Sequence, residues 1–111
     1  MELSTNRYKR CDVFKPVGRI DAYAAPTLEE ALNAVIVEGR YNIVLEMSEV
    51  DFLSSRGLWV LTEANKKCKR YNRGEVVLAN VKKEIQETLE LAGMGQYFKF
   101  FDDLTTAVGS F

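Results

Sequence analysis

Two adjacent serines and an arginine, Ser54, Ser55 and Arg56, stand where a polar turn meets the start of a predicted helix. A serine at such a position commonly accepts a backbone N–H bond and caps the helix. A phosphate on the same hydroxyl would meet free N–H groups and the positive end of the helix dipole, and arginine can pair with phosphate. The residue types alone leave two interpretations open, a capping serine or a phosphorylated one.

Other residues with chemical potential form weaker patterns. The carboxylates of Asp21, Glu46, Glu49 and Asp51 suggest an acid–base pair or a Mg²⁺ site, but solvation, capping and turn formation are their usual roles. The dispersed glycines form no phosphate-binding loop. The absence of histidine excludes Ser-His and Cys-His nucleophilic pairs and His-ligated zinc. We therefore expect no enzyme, and neither a cofactor nor a metal.

Length and charge narrow the class of protein further. At 111 residues the chain is expected to form one domain over residues 1–111. Its 15 basic and 16 acidic residues give a net charge of −1, so nothing favours direct binding to nucleic acid or to a membrane. Cys11 and Cys68 have no metal-like spacing and are expected to be reduced. Without a signal-peptide or transmembrane pattern, we expect a cytoplasmic protein.

The segment Lys66-Lys67-Cys68-Lys69-Arg70 gives the second predicted helix a basic face. Most such faces are solvated, and a minority bind acidic partners or lipid headgroups. Trp59 and Tyr71 are expected to be partly buried in the core or at an interface. The C-terminal phenylalanines are expected to pack in the core: Phe98, Phe100, Phe101 and Phe111.

The elements around the two serines can be predicted from hydrophobic periodicity. The nearly continuous apolar run over 42–47 predicts a strand covered on both faces. Helical spacing starts at Gly57 and predicts a buried stripe made of Leu61, Ala64, Cys68 and Tyr71. Two neighbouring strands should precede this unit, joined near Lys9-Arg10, and Pro16 should confine the second to an edge or an end. A first helix is predicted from about Pro26 to Glu38.

After the second helix the same alternation continues. We predict a buried strand over 75–81, a helix over 85–93, a strand over 97–101 and a short helix from Asp102 through Ala107. Alternating strands and helices favour parallel pairing by right-handed crossovers. The predicted fold is α/β, with a mixed four- to five-stranded sheet packed with about four helices.

Several of these local patterns resemble one family. The segment Gly18-Arg19-Ile20-Asp21-Ala22 resembles a Gly-x-Leu-Asp segment that precedes the first helix of STAS domains, the fold of bacterial anti-sigma factor antagonists. Residues 43–58 are similar to the signature strand and turn of that family, which commonly ends in Asp-Ser-Ser-Gly-Leu or Ser-Ser-Ala-Gly-Leu. Residues 74–108 resemble its last strand-helix-strand-helix unit. Two departures are visible, since Ser54 stands where many phosphorylated members have Asp and Arg56 replaces a small residue.

The resemblance implies a single STAS-like domain that acts as a non-enzymatic switch in transcription regulation and signal transduction. In the family, the unmodified protein binds an anti-sigma factor that is also a serine kinase, phosphorylation ends that binding, and a phosphatase restores it. Ser55 aligns with the phosphorylated serine, and Ser54 is the alternative acceptor. The partner-binding residues implied by the resemblance are Asp21, Ser54, Ser55, Arg56, Gly57 and Leu58.

The resemblance also leaves other functions open. STAS-like domains are associated with nucleotide sensing and lipid handling, which makes a small-ligand sensor the main alternative. The lack of a glycine-rich phosphate loop argues against a nucleotide. A permanent scaffold subunit of a signalling complex, without phosphorylation, is a further alternative.

Overall fold

The apolar run near the middle of the sequence forms an interior strand, as predicted. In the computed structural model, which describes residues 1–111, this strand is β3 (Asn42–Glu46), and every residue after Asn42 is buried. It lies between β2 (Asp12–Ile20) and β5 (Glu75–Ala79) and is parallel to both. Burial on both faces explains why this segment is continuously apolar rather than alternating.

The mixed sheet has six strands, compared with the four to five that the sequence predicted. The N-terminal strand β1 (Glu2–Arg7) is antiparallel to β2, and β6 (Lys99–Phe101) is parallel to β5. The additional strand is β4 (Val50–Leu53), which pairs in parallel with the end of β2 in a region expected to be only a turn. With four residues, of which only the first and last are buried, β4 is too short to give a recognisable periodic pattern.

The four helices agree closely with the predicted ones. They are α1 (Ala25–Val37), α2 (Ser55–Lys69), α3 (Lys83–Leu91) and α4 (Leu104–Gly109). α2 begins two residues before the predicted start at Gly57. A short 3-10 turn at Arg70–Asn72 follows α2.

Pro16 does not confine β2 to an edge, contrary to the prediction. β2 is an interior strand, paired with β1 over residues 12–17 on one side. On its other side, Asp12–Phe14 pairs with β3 and Gly18–Ile20 pairs with β4. Pro16 lies between these two partners, where β2 has no neighbour on that side and a missing N–H therefore costs little.

The apolar residues are divided between the two faces of the sheet. The larger cluster joins α1, α2 and α3 to one face; its largest fully buried members include Phe14, Ile20, Leu28, Leu32, Leu45, Leu61, Leu78 and Leu89. A smaller cluster lies under α4 on the other face and consists of Cys11, Val13, Val44, Val77, Ala79 and Ala107. Phe98 is buried and Phe100, Phe101 and Phe111 pack against these clusters, as predicted.

Two buried polar side chains bind the elements together. Asp12, only 3% exposed, accepts hydrogen bonds from Arg7 Nε at 3.1 Å and Arg40 Nε at 2.6 Å, which join the N-terminal hairpin to the end of α1. Asn65 of α2 accepts a bond from the N–H of Val76 at 2.9 Å and donates one to the carbonyl of Tyr97 at 3.3 Å. Both side chains are therefore satisfied despite their burial.

Tyr71 is the one residue of the predicted α2 stripe that is not buried. Leu61, Ala64 and Cys68 face the core, but Tyr71 is 81% exposed. Regular helix ends at Lys69, and Tyr71 has a left-handed backbone with φ of 60° that turns its side chain away from the stripe. None of the four helices has the length and apolar character needed to cross a membrane.

Candidate functional site

The predicted site lies where β2 and β4 end side by side. Ile20 is paired with Leu53 at the ends of these two strands, and the N–H of Ser54 donates to the carbonyl of Ile20 at 2.9 Å. Asp21 and Ser54, the first residues after the two strands, are therefore neighbours. The parallel pairing brings together two segments that are more than thirty residues apart in the sequence.

Ser54 is the N-cap of α2. Its backbone is extended, and its Oγ accepts a hydrogen bond from the N–H of Gly57 at 3.0 Å. The side chain is half-buried and already has this structural partner. Of the two interpretations of the serine pair, capping therefore applies to Ser54.

Ser55 is the first residue of α2 and is exposed. Its hydroxyl forms no hydrogen bond within the chain, and the N–H groups of Ser55 and Arg56 donate to no protein acceptor. The first turn of α2 contains no acidic residue. The helix start therefore offers free donors and an uncompensated positive dipole end to an anionic group on Ser55.

Gly57 allows α2 to begin very close to the sheet. A Cβ at this position would lie 2.7 Å from Ile20 Cγ2, 2.9 Å from Leu53 Cδ1 and 3.0 Å from the carbonyl oxygen of Ile20. Gly57 is buried, and the half-buried Leu58 packs on the larger apolar cluster. Both residues hold the turn against the strand ends.

Arg56 connects the turn to α1 and to the only tryptophan of the chain. Its guanidinium carbon lies 4.5 Å from the centre of the Trp59 ring, and its Nη2 lies 3.9 Å from Glu29 Oε1. The Arg56 side chain is 49% exposed and Trp59 is 44% exposed. Trp59 follows Ser55 by one helical turn and so lies on the same side of α2.

Exposed aromatic residues on the neighbouring segments were not predicted as part of the site. Arg19 of β2 faces Phe52 of β4 across the paired strands, with its guanidinium carbon 4.1 Å from the ring centre. Tyr23, two residues after Asp21, is 94% exposed. The exposure of Phe52 and Tyr23 depends on β4 and on the loop after β2, which hydrophobic periodicity did not resolve.

Asp21 has a structural role at the start of α1. Its Oδ1 accepts a hydrogen bond from the N–H of Ala24 at 2.8 Å, and its carbonyl accepts one from the N–H of Ala25 at 3.0 Å. The side chain is half-exposed at the edge where Ser54 lies. Of the predicted partner-binding residues, Ser55 and Arg56 are the exposed ones; Asp21, Ser54 and Leu58 are half-buried and Gly57 is buried.

The surroundings of the turn offer little for small-ligand or metal binding. No cavity is lined by residues 54–58, and no three carboxylate or thiol side chains lie close enough to hold a metal ion. Cys11 and Cys68 are free and buried. Burial raises the pKa of both thiols, that of Cys68 to about 12, so neither resembles an activated nucleophile.

Comparisons with known proteins agree with this arrangement. The family model of the STAS domain matches residues 2–107. An anti-sigma-B factor antagonist of Listeria monocytogenes is 30% identical over 94 residues, which cover 85% of this chain and 81% of that protein. The crystal structure of an anti-sigma factor antagonist from Mycobacterium paratuberculosis is 26% identical and superposes with a TM-score of 0.83 over 98% of this chain and 92% of that one. Bacillus SpoIIAA in its phosphorylated form shares the fold, with a TM-score of 0.79 at 14% identity over 98% of each chain.

Proposed function

The chain belongs to the STAS domain family, and we propose that it acts as an anti-sigma factor antagonist whose binding is switched off by phosphorylation of Ser55. In this role the unmodified protein binds an anti-sigma factor that is also a serine kinase, and a phosphatase reverses the modification. The protein regulates transcription indirectly, in the cytoplasm, without contacting DNA and without catalysing a reaction.

The observation that carries the choice of Ser55 is the different environment of the two serines. Ser54 Oγ holds the start of α2 through Gly57, whereas the exposed Ser55 hydroxyl has no partner in the chain. A kinase can reach Ser55 without breaking the N-cap. Modification of Ser54 would remove a cap that typically contributes about 1 kcal/mol to helix stability.

A phosphate on Ser55 would change the surface strongly while leaving the fold intact. It adds about −1.5 to −2 charges at pH 7, close to the free N–H groups of the first turn. These donors and the helix dipole stabilise the phosphate in the free protein. In a complex the same charge would be desolvated against the partner, which opposes binding.

The surface that meets the partner extends beyond the turn. We name the exposed residues Tyr23, Phe52, Ser55, Arg56 and Trp59 the turn face. Aromatic and arginine side chains are enriched among the residues that dominate protein–protein binding energy. Arg56 also gives the switch a second component, because a phosphate on Ser55 would compete with Glu29 for its guanidinium.

Mass spectrometry and binding measurements test the proposal together. The protein recovered from its native cells is analysed by intact mass and phosphopeptide mapping, before and after phosphatase treatment. Wild-type protein, Ser55→Ala, Ser55→Asp and Ser54→Ala are then compared for binding to the anti-sigma factors of the source organism. We expect phosphate on Ser55, near-normal binding by Ser55→Ala, and binding weakened by more than about tenfold in Ser55→Asp, because a charge is then buried without a partner.

The Ser54→Ala variant is the control for the choice of acceptor. It should still be phosphorylated, with a lower melting temperature because the N-cap is lost. Phosphate on Ser54 alone would move the acceptor by one residue. Equal binding by Ser55→Ala and Ser55→Asp, with no phosphate under several growth conditions, would contradict the switch and favour a scaffold role.

A further inference from the structure

The C-terminal end of α2 carries an unusual concentration of positive charge. The eight residues 66–73 contain five cations and no anion: Lys66, Lys67, Lys69, Arg70 and Arg73. Because the whole chain has a net charge of −1, the other 103 residues together carry a net charge of −6. We name these five side chains, with Tyr71, the basic end. It is the segment with the highest density of positive charge in the chain.

Most of this charge is not neutralised within the chain. Lys66 Nζ lies 3.3 Å from Glu63 Oε2, and this is the only carboxylate within 4.0 Å of any of the five cations. Lys67 donates instead to the amide oxygen of Asn33, and Lys69 lies over the ring of Tyr97. Cations in the last turn of a helix interact favourably with the negative end of the helix dipole. Four cations without a carboxylate partner, within one turn and a loop, are more than this interaction explains.

The loop that carries Arg73 is held in a rare conformation. Tyr71 and Asn72 both have left-handed backbones, with φ of 60° and 57°, and a bulky residue such as Tyr71 seldom adopts one. The Tyr71 ring nevertheless extends into solvent. The Arg73 guanidinium lies 4.0 Å from the ring centre of Tyr41 and 5.4 Å from that of Tyr71. Strain at an exposed position is a reason to look for a binding role.

Hydrogen bonds fix the position of Arg73. Its Nη1 donates to the hydroxyl of Tyr41 at 2.7 Å and its Nε donates to the carbonyl of Arg70 at 3.1 Å. The next residue, Gly74, allows no side chain, since a Cβ there would lie 2.3 Å from the carbonyl oxygen of Tyr41. The guanidinium is therefore presented to solvent from a preorganised loop, which lowers the entropic cost of binding.

A groove adjoins this loop. It has a volume of about 490 Å³ and is lined mainly by polar residues from the end of α2, the loop and the start of β3 and β5, together with the C-terminal phenylalanine: Asn42, Lys69, Asn72, Arg73, Gly74, Glu75 and Phe111. Its volume is within the range of sites that hold a drug-sized group. The amides and the two cations offer donors for carboxylate and backbone carbonyl oxygens.

We propose that the basic end and this groove bind an acidic, extended segment of a partner protein. A run of Asp and Glu side chains matches the four unpaired cations, and its backbone can bond to the amides of the groove. Extended polyanions such as membranes and duplex nucleic acid fit less well, because the remaining surface, with a net charge of −6, repels them beyond this small area.

The basic end is separate from the turn face. The two lie at opposite ends of α2, whose 15 residues span roughly 22 Å at 1.5 Å per residue. An acidic segment at the basic end therefore leaves Ser55 accessible. The protein could hold one partner at each end of the same helix, and this second binding does not depend on phosphorylation.

A labelled acidic peptide tests the proposal directly. The probe is a fluorescein-labelled peptide of alternating Asp and Glu, with matched peptides of Asn and Gln and of Lys as references, measured by fluorescence anisotropy at several salt concentrations. NMR spectra record which backbone amides shift. We expect binding by the acidic peptide alone, weakened by salt, with shifts at residues 66–75 and none at residues 54–58.

Matched variants separate a specific site from general attraction. Lys67→Gln with Lys69→Gln removes two exposed cations of the basic end, and Lys82→Gln with Lys83→Gln removes two exposed cations elsewhere. We expect the first pair to weaken peptide binding by about tenfold and the second by less than about twofold. Equal loss in both variants would overturn the proposal, as would tighter binding to vesicles with anionic lipid or to an oligonucleotide than to the peptide.

Tyr71→Gly separates binding from stability. Glycine adopts the left-handed backbone without strain, so the melting temperature should not fall substantially. Loss of the ring beside Arg73 should weaken peptide binding severalfold. Unchanged peptide affinity in Tyr71→Gly would show that the left-handed tyrosine does not serve the proposed site.

Discussion

The two ends of α2 are held in opposite ways. At the N-terminal end, Gly57 lies against Ile20, and Ser54 bonds to both β2 and the helix. At the C-terminal end, regular helix stops at Lys69 and is followed by exposed residues with left-handed backbones. One end is integrated into the sheet, and the other projects charged side chains into solvent.

One helix can therefore support two kinds of surface. Where packing is tight, a chemical change is tolerated only at a side chain without structural contacts, and in the first turn Ser55 is such a side chain. At the C-terminal end most side chains are exposed, so many positions can vary and positive charge can accumulate. The N-terminal end is suited to a modification-dependent switch, and the C-terminal end to electrostatic attraction.

The tight packing of the N-terminal end predicts a large effect of Gly57→Ala. The added methyl group would clash with Ile20, including its backbone oxygen, and with Leu53. Overpacking of this kind typically costs about 1–3 kcal/mol, so the free energy of unfolding in urea should fall by that amount. The melting temperature should fall with it.

Gly109 provides the matched control for that substitution. It ends α4, and a Cβ there would have no heavy atom within 4 Å. Gly109→Ala should leave the free energy of unfolding unchanged or raise it by up to about 1 kcal/mol. If both variants were equally stable, the close approach of α2 to β2 would not be a constraint on the fold.

A smaller effect should distinguish the two serines. Ser54→Ala removes the N-cap and should lower the free energy of unfolding by about 1 kcal/mol, within the range of 0.5–2 kcal/mol observed for such caps. Ser55→Ala removes an exposed hydroxyl without a partner and should change it by less than about 0.5 kcal/mol. Urea unfolding of both variants checks this prediction. The reverse order would assign the capping role to Ser55 and make Ser54 the accessible acceptor.

Most of the fold could be predicted because buried positions give the sequence a recognisable hydrophobic pattern. The run 42–47 is nearly continuously apolar because β3 is buried on both faces. Gly39 and Gly93, with φ of 87° and 78°, follow the ends of α1 and α3, where glycine is the usual residue. The prediction that Pro16 confines its strand to an edge is wrong because proline is also tolerated between the two partners of β2. Which strands flank β2 is a property of the tertiary structure.

The site was predictable in part for the same reason. Ser54, Ser55 and Gly57 lie within four consecutive residues and have a local signature, so the turn could be recognised from sequence. Tyr23 and Phe52 come next to it only through the pairing of β2 with β4. Tyr71 fits helical spacing perfectly, yet the chain leaves the helix one residue earlier, and periodicity cannot detect that departure.

The buried side of the basic end predicts a change in the free energy of unfolding that is seen only at alkaline pH. Cys68 is completely buried beneath the exposed lysines, and burial raises the pKa of its thiol from 9.0 to about 12, with Arg73 acting weakly in the opposite direction. The folded state therefore holds this proton more tightly than the unfolded state. The resulting contribution to stability is complete below pH 9 and is lost progressively as the pH rises toward 12.

This prediction is measured in a Cys11→Ala background, so that Cys68 is the only thiol. Comparison of that protein with Cys11→Ala/Cys68→Ala cancels the titration of lysines and tyrosines, and their difference in free energy of unfolding should be constant to pH 9 and then decline. Alkylation of Cys68 by iodoacetamide at pH 7.5 should be far slower in native than in urea-unfolded protein, since the reactive thiolate is scarce and inaccessible. Rapid native alkylation would mean that the C-terminal end of α2 opens readily in the folded protein.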